Sequence, residues 1–84
     1  MEIYDLRRST RRNKKYMCDV VHNNKFHKNI HFGDIRYGQY RDSTEIRLYS
    51  HLDNNDPKRK RLYYIRHKNN TSICSMLTKE FLYN

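Results

Sequence analysis

The chain contains no alanine and no tryptophan, only one proline, two glycines and two cysteines. Without alanine or an indole, a core has to be assembled from Val, Ile, Leu, Met, Phe and Tyr. Eight of the eleven aromatic residues are Tyr, whose hydroxyls need partners when buried. Apolar residues make up 36% of 84 positions, so the core is expected to be small. A chain of this length buries only about 60 to 65% of its unfolded surface, and its margin of stability is thin. Two glycines exclude a glycine-rich phosphate loop and argue against a deep pocket. Cys18 and Cys74 are far apart and form no CxxC, which predicts reduced thiols rather than a disulfide framework. No run approaches the roughly eighteen apolar residues of a membrane span. Met1-Glu2-Ile3-Tyr4-Asp5-Leu6 lacks the apolar stretch of a signal peptide. Together these absences predict an intracellular chain with no membrane partner.

Acidic residues are also scarce. Eighteen Lys and Arg stand against nine Asp and Glu, a net charge of +9. Such a surplus draws polyanions, above all nucleic acid, although an acidic protein face is attracted by the same field. The cations fall into two groups. Six of the nine residues from Arg7 to Lys15 are basic: Arg7, Arg8, Arg11, Arg12, Lys14 and Lys15. Self-repulsion predicts that residues 1–14 form a flexible basic arm, with 15–84 as a single domain. The second group, Lys58, Arg59, Lys60 and Arg61, follows Asp56 and Pro57, a good N-cap and a good first helical residue. Four cations at the positive end of a helix dipole are unfavourable unless an anion lies nearby, and no acidic residue follows Asp56 in the first turn.

The hydropathy pattern predicts an α+β domain, a β-hairpin at about 15–32 packed by short helices at about 43–52, 57–68 and 73–82. Asn23-Asn24 tolerates the positive φ of a two-residue hairpin turn. An unbroken register from that turn pairs Val21 with Phe26, Asp19 with Lys28 and Met17 with Ile30. It puts Met17, Val21, Phe26, Ile30 and Phe32 on one apolar face. The opposite face then brings Cys18 near His27 and His31. These are candidate zinc ligands, but structural zinc ordinarily uses closely spaced ligand pairs, absent here, and the reading is a solvated or ligand-facing surface. Asp42 with Glu45 resembles a capping box that opens the first helix. In the second helix Leu62 and Ile65 share a face, and Ile73, Met76, Leu77 and Phe81 do so in the third.

No HExxH, GxSxG or comparable catalytic motif occurs, and no cofactor-binding motif. The residues therefore point to a non-enzymatic binding protein. Its expected contacts to nucleic-acid backbone, DNA before RNA, are Arg7, Arg8, Arg11, Arg12, Lys14, Lys15, Lys58, Arg59, Lys60, Arg61 and Arg66.

The segment from Ile30 to His67 resembles a family of small basic proteins encoded by nucleocytoplasmic large DNA viruses. The resemblance rests on His31-Phe32-Gly33-Asp34, Tyr37, Tyr40, Asp42, Tyr49-Ser50-His51-Leu52-Asp53, Asn55-Asp56, Lys58-Arg59, Tyr64 and Arg66-His67. The ending Leu77-Thr78-Lys79-Glu80-Phe81-Leu82-Tyr83 is similar to the family's short terminal helix, with Tyr83 where Trp is usual. The family carries no assigned activity, so the resemblance implies a viral source, inside the host cell or in the virion, and names no reaction. It leaves a second expectation beside nucleic-acid binding: a small virion or assembly component docking on an acidic capsid or core protein.

Overall fold

In a computed structural model describing residues 1–84, Asn23 and Asn24 both take positive φ, 52° and 63°. They form the tight turn expected of them, joining β2 (Lys14–His22) to β3 (Lys25–Asp34). Val21 pairs with Phe26, as an unbroken register requires. One step further the register breaks. Val20 faces His27, but Cys18 faces Ile30, so β3 carries one residue more than β2 at this point. The extra residue lies at Asn29, whose φ of 56° marks a bulge.

The expected apolar face is accordingly wrong for β2. Beyond the bulge Met17 pairs with His31 rather than Ile30, and the core face is Tyr16, Cys18 and Val20 with Ile30 and Phe32. Phe26 stays 62% exposed. Met17 is buried on the opposite face, beneath the turn that carries Thr10.

Residues 1–14 are not a free arm. Glu2–Arg8 forms β1, which pairs antiparallel with β2 and completes a three-stranded sheet in the order β1-β2-β3. Ile3 and Leu6 alternate in hydrophobicity too weakly to announce a strand, yet both pack against the core. A second bulge, at Asp5 with φ 57°, lies across β2 from the first. Arg7 joins the two: Nη1 donates to the Asp5 carbonyl at 2.6 Å and Nη2 to Asn29 Oδ1 at 2.7 Å. Only residues 9–13 form the exposed turn back into β2.

The helix expected at 43–52 is absent, replaced by an irregular loop with one 3-10 turn at Ser50–Leu52. Asp42 is the reason. Instead of capping, it is fully buried and accepts from Thr44 N (3.0 Å), Thr44 Oγ1 (2.6 Å), Tyr49 N (3.0 Å) and the Tyr16 hydroxyl. A side chain that captures its neighbours' backbone donors offers the chain an alternative to helix. Burial by itself would raise Asp42's pKa, but these donors outweigh it and hold the carboxyl below its ordinary value.

The other two helices form: α1 (Pro57–Arg66) and α2 (Ile73–Leu82). Ser72 caps α2 through Ser75 N, and Leu77 and Leu82 enter the core over Phe32. Phe81 stacks on Phe32 with ring centres 5.8 Å apart. Where Leu82 passes β3 the chain needs glycine. Gly33 has φ +79°, and a Cβ there would lie 2.9 Å from Leu82 Cδ1 and 3.1 Å from Lys15 Cδ.

Candidate nucleic-acid interface

Asp56 accepts from Lys58 N at 2.9 Å and Arg59 N at 3.4 Å, so α1 begins where its caps predict. Its seating differs from expectation. Leu62 and Ile65, proposed as its buried face, are 53% and 56% exposed, and no residue of α1 is fully buried. The helix is held through aromatic rings. Tyr63 lies parallel to Tyr83 with ring centres 3.8 Å apart and an interplanar angle of 3°. Its other face stacks on His67 at 4.3 Å. Tyr64 donates its hydroxyl to the Tyr83 carbonyl at 2.9 Å, and Lys79 Nζ donates to the His67 carbonyl at 3.1 Å. The signal for this in the sequence is the Tyr63, His67 spacing of four, which puts two rings on one helix face.

Because α1 leans on the end of α2 rather than on the sheet, a cavity of about 780 Å³ stays open between β3, the following loop and the two helices. A chain whose two glycines argue against a deep pocket thus carries an open cleft. Lys14 and Lys15 from the first basic segment, Arg59 from the second and Arg66 from the last turn of α1 line the cavity. Asp34 is the single carboxylate in the wall. Arg36 already grips it in bidentate fashion, Nε at 3.0 Å and Nη2 at 2.7 Å, and these bonds pull its pKa down to about 2. The cleft therefore carries a positive excess that nothing in the wall offsets.

The remaining cations sort by what they touch. Lys58 and Arg61 are exposed and make no ion pair. Arg11 and Arg12 extend from the turn at 9–13 in the same condition. Arg8 lies 6.0 Å above the Tyr49 ring, and Lys60 Nζ is 4.5 Å from the centre of Tyr40. Arg59 has a loose contact of 3.7 Å to Asp56.

Two expected contacts are built into the fold instead. Arg7 ties the paired bulges and bonds Asp5 at 3.1 Å. Lys15 is 2% exposed, its ammonium directed away from solvent to the Tyr37 carbonyl (3.0 Å) and Gln39 Oε1. Burial pushes its pKa down to about 8 against the pull of Asp34, Asp42 and Asp53.

The three candidate zinc ligands do not converge. The bulge puts Cys18 on the core face, while His31 pairs with Met17 on the other face and bonds Ser9 Oγ through Nδ1 at 2.7 Å. No group of three His, Cys, Asp or Glu side chains is arranged to hold a metal ion.

These features define a small α+β domain with a cationic cleft between a sheet and two helices. Set against family models, curated proteins and solved structures, the chain matches none of them. No helix is long and apolar enough to cross a membrane.

Proposed function

We propose that this chain is a non-enzymatic nucleic-acid-binding protein that holds the phosphate backbone in and around its basic cleft. One observation carries the reading. Lys14, Arg59 and Arg66 border a common cavity whose only carboxylate is already neutralised by Arg36. Lys58 and Arg61 are exposed on the same helix as Arg59 and Arg66, Arg11 and Arg12 are exposed in the turn that precedes Lys14, and Arg8 and Lys60 lie over the rings of Tyr49 and Tyr40. Such cations position a backbone without reading its sequence. The Lys58 to Arg61 run at the positive end of α1 then finds its missing anion in the ligand.

A salt titration tests this. With about six phosphates neutralised, log affinity for duplex DNA should fall against log salt with a slope near −5. A slope near zero, or no binding at about 50 mM salt, removes the reading. Equal affinity for heparin would mean that charge density alone is recognised. On the resemblance to proteins of large DNA viruses, the site of action is the interior of an infected cell or the virion. Retention in purified particles stripped of DNA would instead favour docking on an acidic virion protein.

A further inference from the structure

We infer that the cleft accepts one unstacked nucleotide of a single strand, its phosphate on Lys14, Arg59 and Arg66 and its base continuing the ring stack at His67. This rests on the nucleic-acid reading above and narrows it from charge to shape.

Size comes first. Pockets that enclose small ligands run from roughly 300 to 1,000 Å³, and this one, at about 780 Å³, has room for a nucleotide but none for a double helix. Chemistry comes second. Tyr83, Tyr63 and His67 form a continuous stack along the wall, centres 3.8 Å and 4.3 Å apart. Both faces of Tyr63 are occupied, so a flat ring can add only at an end of the stack, and His67 is the end that follows Arg66 directly in the chain. Tyr37, 64% exposed, presents a further ring from the loop. Every base has a π-face, so stacking of this kind tolerates any sequence.

The third observation is the polar lining. Asn54 and Asn70, whose side-chain oxygens accept from Asp56 N and Ser72 N, present amide groups in the wall that can donate to a base edge.

The test compares a labelled oligothymidylate with a duplex of equal length at fixed salt, for the full chain and for His67→Ala and Tyr37→Ala. Tyr37 is exposed, so its variant folds normally and keeps the comparison informative. Single-strand affinity should exceed duplex affinity, and each variant should lower it by roughly ten-fold while leaving duplex binding within two-fold. A 5-iodouracil strand irradiated in the complex should crosslink to His67 or Tyr37, located by peptide mass spectrometry. If both variants bind single strand as the parent does, or crosslinks fall outside the cleft, the inference is overturned. Duplex binding with a steep salt slope would then leave the broader reading standing. Failure to bind either polymer removes both.

Discussion

Lys14 and Lys15 are neighbours in the chain, and they belong to two regions that treat charge in opposite ways. Lys15 enters a buried polar network under the loop after β3. There Gln39 Nε2 donates to the Tyr49 carbonyl (2.8 Å) and to Asp53 Oδ1 (2.6 Å), and Asp53 Oδ1 also accepts from Asp42 N at 2.7 Å. Thr44 Oγ1 and Leu48 N converge on the Tyr16 hydroxyl. Lys14 enters the cleft with Arg59 and Arg66, where the one ion pair is the loose contact of Arg59 with Asp56. The network shows what this fold does with polar groups when they serve stability: it satisfies them. In the cleft the charges of Arg59 and Arg66 stay at the surface instead, where they cost the fold little.

Substitutions should separate the two regions by their effect on folding. The largest loss is expected for Asp42→Ala, which strands the Tyr16 hydroxyl, Thr44 and the Tyr49 amide in the interior. A cost of about 4 kcal/mol is expected for breaking a buried charged network, enough to populate the unfolded state of so small a domain. Urea denaturation measures it, and a loss under about 1 kcal/mol would mean that water replaces the carboxylate cheaply.

Gly33→Ala comes next, at about 2 kcal/mol for an Ala forced into positive φ against Leu82. The same urea curves read it, with an unchanged m-value expected.

A pH profile probes Lys15 more finely. Its pKa is about 8 folded against 10.5 unfolded, so between those values the unfolded chain binds the extra proton and stability rises with pH. Cys18 works in the opposite sense: burial lifts its thiol from 9.0 to about 11, so the unfolded thiol ionises first. Tyr16, raised by burial from 10.0 to about 12, adds to that loss at higher pH. Stability should therefore climb by about 0.6 kcal/mol between pH 8 and 9, level off, and fall above about pH 9.5. Lys15→Met should abolish the climb and keep the fall. A parent protein whose stability is flat from pH 8 to 9 would contradict the buried, easily deprotonated lysine.

Smallest of all on folding are Lys58→Ala and Arg61→Ala, expected within about 0.5 kcal/mol of the parent. On DNA each should reduce the salt slope by about one if it holds a phosphate. Loss of stability without loss of slope would place these residues with the network rather than with the cleft.

Much of the backbone was legible because its signals are local. Asn23-Asn24 makes its turn and Asp56-Pro57 opens α1, since caps and turns depend on residues within one helical turn. The register of the sheet was not legible. One extra residue at Asn29 and another at Asp5 reverse which side chains of β2 face inward, and nothing near either position announces a bulge. The role of Asp42 was hidden for a related reason. A capping box and a buried hub look alike until Tyr16, 26 residues away, arrives to share the carboxylate. In the cleft, the cations Lys14, Arg59 and Arg66 were foreseen, whereas the ring stack was overlooked because Leu62 and Ile65 looked like the packing face of α1.

Charge, turns and caps were determined by the chain alone, because each depends on composition or on a few adjacent residues. Tertiary structure decided which of two adjacent lysines is buried, which face of β2 is core, and that α1 stands away from the sheet to leave a cleft. Those outcomes depend on contacts between residues distant in sequence, and a shift of one residue in a strand is enough to exchange inside for outside.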